Sequence, residues 1–154
     1  MIQRIQSIYL AIATVLAALL LKGPIVSLVG PIGDSYIINL KGLMLTSENA
    51  STLIEKSLPL SILLVIIPVL FFLSIFLFKR RKLQIRVTVL ATLLFIGVLL
   101  LLIYYMLYAG RKLDADFIFN IKMTFPLVGS IFGYLAFRSI LKDELLIKSY
   151  DRIR

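Results

Sequence analysis

Four long apolar runs separated by short charged segments set the order of residues along this chain. The first extends from Ile5 to Leu21, is rich in alanine (Ala11, Ala13, Ala17, Ala18), and closes at Lys22-Gly23-Pro24, where Gly-Pro breaks a helix. The second, Ser57 to Phe78, and the third, Val87 to Ala109, contain no charged residue. About 20 apolar residues at 1.5 Å each span a hydrocarbon core of ~30 Å, so both have spanning length. The fourth, Met123 to Phe137, reaches that length by continuing to Leu141 while Arg138 extends its guanidinium to the interface. The pattern therefore predicts spans at about 5–22, 57–78, 87–109 and 122–141 within one integral membrane domain, 1–154.

The connections have a different period. In 23–56, the stretches Ile25–Val29, Ser35–Leu40 and Gly42–Thr46 read as short strands separated by turn residues such as Gly30-Pro31 and Gly33-Asp34. Tyr36, Ile38 and Leu40 alternate with Ile37, Asn39 and Lys41, the period of a half-buried strand. Phe117–Ile121, in the third connection, is also β-prone. The predicted fold class is all-α membrane: a four-transmembrane-helix bundle with a small β-rich outer cap from the first and third connections. This layout resembles claudin-like four-helix membrane proteins in architecture alone, and lacks the paired cysteines usual in their outer loops.

Composition supports the lipid reading. The chain is 60% hydrophobic against about 45–50% for soluble domains, and its mean hydropathy is +1.02. It has neither cysteine nor histidine, which excludes disulfides, thiolate nucleophiles, imidazole bases and Cys/His metal sites. No cofactor is expected. The net charge of +9 comes from residues flanking the apolar runs and not from a stripe with interleaved aromatics, so it is read as topological and no nucleic-acid partner is expected.

With the N-terminus in the cytoplasm, 11 of the 17 basic residues fall inside, including Lys79, Arg80, Arg81, Lys82 and Arg86 of the basic loop 79–86. The other six share the outer side with five acids, which leaves it near neutral. Basic residues accumulate on the cytoplasmic side, so both termini are placed there, in a cell inner membrane. A cleavable signal is the competing reading of the first run, but no small-x-small site precedes a polar region. The Lys79–Arg86 cluster would also attract anionic lipid head groups.

Three further features are candidates for contacts. Gly129 and Gly133 form a Gly-x-x-x-Gly pair with Ser130 beside them, a spacing that lets helices approach closely, either within the chain or between copies. Pro68 and Pro126 are expected to kink the second and fourth helices. The tail 142–154 reads as a helical extension whose Lys142, Asp143, Glu144, Tyr150, Asp151 and Arg152 offer a surface to a membrane-protein partner. Asp143 and Glu144 are adjacent and do not converge as paired catalytic carboxylates must. Asn49-Ala50-Ser51 matches a glycosylation acceptor, an accidental match in a bacterial-type chain.

The opening Met1-Ile2-Gln3-Arg4-Ile5-Gln6-Ser7-Ile8-Tyr9-Leu10, the segment Arg138-Ser139-Ile140-Leu141-Lys142-Asp143-Glu144 and the closing Asp151-Arg152-Ile153-Arg154 are similar to the domain of unknown function 4293 family. The resemblance covers the full chain. It implies a bacterial four-span membrane protein of about this length and carries no established activity. The expected role is a non-enzymatic accessory, assembly or scaffold subunit; the alternative is small-solute transport by an oligomer assembled through Gly129 and Gly133.

Overall fold

A computed structural model of the chain describes residues 2–31, 34–47 and 50–151. Four helices form where the apolar runs lie: α1 (Ile2–Leu19), α2 (Leu58–Phe76), α3 (Arg81–Leu113) and α4 (Phe125–Asp151). They pack in cyclic order, α1 on α2, α2 on α3, α3 on α4 and α4 on α1. Three stretches, Leu58–Lys79, Arg81–Leu113 and Ile121–Leu146, are long and apolar enough to cross a membrane; the apolar part of α1, Ile5–Leu19, is shorter.

Small residues set the spacing of the helices. Ala13 and Ala17 on α1, Ala91 on α3 and Ala136 on α4 are buried, as are the larger Leu10, Phe71 and Phe95 that fill the space between them. The rings of Phe71 and Phe95 meet edge to face with centroids 6.0 Å apart. Such tilted pairs contribute about 0.5–1.5 kcal/mol beyond burial.

The corner between α2 and α3 is tighter than the expected basic loop 79–86. A 3₁₀ turn, Leu77–Lys79, leads through Arg80 directly into α3 at Arg81. Nothing between Leu77 and Ile96 is glycine or proline, so the helix resumes as soon as the chain has reversed. Pro126 is also a correction: α4 begins at Phe125, which puts the proline in the first turn, where its missing N–H costs nothing and no kink follows. Pro68 does lie inside α2.

At the opposite end the connections form one antiparallel sheet of five strands: β1 (Val26–Val29), β2 (Ser35–Asn39), β3 (Gly42–Ser47), β4 (Ala50–Lys56) and β5 (Asp116–Ile118), in the order β4-β3-β2-β1-β5. Thus β5, from the connection before α4, joins the sheet made by the connection after α1, with Leu28 opposite Phe117. Ile25, Val26, Leu28, Ile38 and Leu43 are buried in the same core as the helices, and Tyr36 and Leu40 pack on it, the face that the alternation predicts. β4 is an addition to the expected strands. Phe117–Ile121 yields strand only to Ile118, because the Asn120 side chain accepts from the Lys122 N–H and opens a 3₁₀ turn, Ile121–Thr124.

Candidate functional site

Antiparallel packing brings the start of α1, the α2–α3 corner and the C-terminal half of α4 to one end of the molecule, here called the basic end. Lys79, Arg80 and Lys82 are exposed there, as is Arg86, one turn further along α3. Lys142 on α4 is exposed too, and Glu144 is half-buried.

Asp143 is placed differently from its expected position on an open surface. It is 7% exposed, and Gln6, itself 5% exposed, donates from Nε2 to one carboxylate oxygen. The same amide donates to the Ser139 carbonyl at 3.2 Å, and the Arg81 guanidinium lies 4.0 Å from the carboxylate. Three helices therefore meet through one carboxylate, because α4 turns Asp143 inward while its neighbours Lys142 and Glu144 face out or lie half-buried. The second carboxylate oxygen has no hydrogen-bond partner among the described residues. Arg152 lies outside the described residues, and the side chains of Tyr150 and Asp151 are outside the description as well.

From this end a line of hydrogen bonds ties α2 to α3. Gln84 donates to the Ser74 carbonyl at 3.0 Å, the Ser74 and Thr88 hydroxyls are 2.7 Å apart, and Thr92 donates to the Thr88 carbonyl at 2.8 Å. The three hydroxyls and the Gln84 amide nitrogen are all paired within the helix pair, the condition under which polar groups persist between apolar helices, where each bond contributes about 0.6–2 kcal/mol.

Gly129 and Gly133 both face inward. A Cβ at Gly129 would collide with the Phe95 ring, and one at Gly133 would collide with the Thr92 hydroxyl and meet Phe71 at 3.3 Å. The glycines are the recesses that let α4 close on α3 and α2 of the same chain. Ser130 is 8% exposed and donates to the Pro126 carbonyl at 2.6 Å.

Beside that contact, α3 and α4 leave a lateral groove of about 600 Å³, lined by Leu93, Ile96, Leu99, Leu127, Ile131 and Tyr134 among others, with Thr92 and Ser130 at its floor. Both floor hydroxyls already donate to backbone carbonyls, so the groove offers an apolar surface. Sequence reasoning misses it, since it arises where the glycine recess brings two helices together along one line and leaves them apart beside it.

At the sheet end, Lys112 pairs with Glu55 at 3.2 Å and donates to the Tyr108 hydroxyl at 3.1 Å. Tyr104 and Tyr108 stack beside them with centroids 6.2 Å apart. Lys122 donates to the Lys22 carbonyl at 2.6 Å and so ties the two connections together. Among the described residues no three Asp or Glu side chains come together as metal ligands.

A family model described as "Domain of unknown function (DUF4293)" matches residues 2–153. No curated protein and no solved structure matches.

Proposed function

The chain belongs to the DUF4293 family, and from that membership and the packing above we propose that it is a multi-pass protein of a bacterial inner membrane, acting as a non-enzymatic accessory, assembly or scaffold subunit. All four helices cross the bilayer. α1 does so with Leu20 and Leu21 completing its apolar length and Lys22 reaching the interface. The basic end lies in the cytoplasm and the sheet outside, in keeping with the bias of basic residues toward the cytoplasmic side.

The observation that carries this reading is the division between inside and outside of the helix set. Ile62, Val69, Phe72, Leu93, Leu100 and Ile131 are all about half exposed or more, a continuous apolar exterior that water does not tolerate at this scale and lipid does. The interior, by contrast, is filled by Leu10, Phe71, Phe95 and Ala136, each fully buried, so a single copy offers no path for a solute. Transport by an oligomer built on Gly129 and Gly133 loses its support, because those glycines are used up within the chain. What remains for function is surface: the sheet, the basic corner and the flanks of the helices.

The test is to crosslink the protein mildly in bacterial membranes, purify it in gentle detergent and identify what accompanies it by mass spectrometry. A stoichiometric partner is the expected result. Recovery of the protein alone, active in moving a solute after reconstitution, overturns the scaffold reading.

A further inference from the structure

We infer that the groove between α3 and α4 holds one acyl chain of an anionic phospholipid from the leaflet at the basic end, with Arg86 and Arg138 gripping its phosphate. This rests on the membrane placement proposed above and adds a defined lipid site to it.

Register places both arginines at the groove mouth. The groove lining on α3 includes Val89, Leu93 and Ile96, and on α4 Leu127, Ile131 and Tyr134; steps of three and four residues carry those two faces on to Arg86 and Arg138, just beyond the lining at the basic end. Both arginines are exposed. Arginine suits phosphate because its planar fork donates two parallel hydrogen bonds, and basic pockets between membrane helices are fitted to anionic head groups.

The length of the groove selects its occupant. From Val89 to Leu99 on α3, and from Leu127 to Phe137 on α4, are ten residue steps each, about 15 Å at 1.5 Å per step. That is half of a ~30 Å hydrocarbon core, the depth of one leaflet. An acyl chain hung from a phosphate at the arginines needs only this half. The floor hydroxyls of Thr92 and Ser130 have their protons committed inside the chain, so nothing in the groove favours a polar occupant over a hydrocarbon one.

The experiment uses full-length protein, delipidated in mild detergent and offered equimolar phosphatidylglycerol and phosphatidylcholine with identical acyl chains, with retained lipid counted by native mass spectrometry. One phosphatidylglycerol per chain is expected, preferred by about fivefold for each arginine and roughly 25-fold for the pair. Arg86→Gln with Arg138→Gln brings the two lipids near parity. Lys79→Gln with Arg80→Gln, equal in charge and at the same end but away from the mouth, keeps the preference. Ile96→Trp fills the groove and lowers retention of both lipids, with helical circular dichroism confirming that each variant is folded. Equal retention of the two lipids by the unaltered protein, equal loss in both double variants, or full retention by Ile96→Trp each overturns the inference. Absence of the protein from the membrane fraction overturns the membrane placement itself, whereas normal insertion without lipid preference overturns this site alone.

Discussion

Gly129 shows how a single side chain, here one of hydrogen only, decides helix packing. Its Cβ position is occupied by the Phe95 ring. Gly129→Ala is therefore expected to cost about 1–3 kcal/mol by overpacking, more than the roughly 1 kcal/mol of helix propensity it regains. The double variant Gly129→Ala/Phe95→Leu should be less destabilised than the sum of the single changes by at least about 0.5 kcal/mol. Thermal unfolding of the detergent-solubilised protein measures this cycle. Strict additivity, or a change of oligomeric state with Gly129→Ala alone, would place the glycine against something other than Phe95. The Gly-x-x-x-Gly spacing was readable from sequence, but the helix that fills it was not, since the spacing is the same for a neighbour in the chain and for a second copy. Asp143 was less readable still. Its charged neighbours Lys142 and Glu144 mark a solvated stretch, and only the arrival of Gln6 and Arg81 from two other helices gives the carboxylate a reason to be buried.

Among the elements, the helices were the most legible because apolar length is a strong signal, and the strands were legible where one face is buried. The alternation of Tyr36, Ile38 and Leu40 reveals β2, and β3 shows as a short stretch from Gly42 to Thr46 set off by turn residues. β4 has no such signature: Leu53 and Ile54 are 41% and 42% exposed, both of its faces are open, and Glu55 and Lys56 charge the edge in the manner that discourages pairing with other chains. It becomes a strand only through its ladder with β3. Gly42 holds that ladder, with φ at +128° and the Glu55 carbonyl lying where a Cβ would be. Gly42→Ala is thus expected to break the β3–β4 pairing while leaving the helices in place. Hydrogen exchange of the amides in β4 should accelerate strongly, with helical circular dichroism unchanged; undisturbed protection of β4 would show that the hairpin does not depend on this glycine.

The whole molecule is organised by two asymmetries, apolar flanks against charged ends and a strongly basic end against a nearly neutral one. By the sequence, eleven basic and three acidic residues fall in the terminal segments and the second connection, and six basic and five acidic residues in the first and third connections, dividing the net +9 into +8 and +1. That division was legible in the sequence, because charge position along a chain of spanning helices alternates between the two sides. The lateral groove was not, because it depends on which faces of α3 and α4 meet. The natural chain has no cysteine, so single cysteines introduced by substitution report their own position without background. Lys41→Cys in the β2–β3 turn and Lys79→Cys at the α2–α3 corner are both exposed and lie at opposite ends. The decisive measurement is labelling of these two variants in bacteria by a membrane-impermeant maleimide, with the outer membrane permeabilised and the inner one intact. The expected outcome is that Lys41→Cys is labelled at once and Lys79→Cys only after the inner membrane is opened. Labelling of both before that step, or of Lys79→Cys alone, would contradict it.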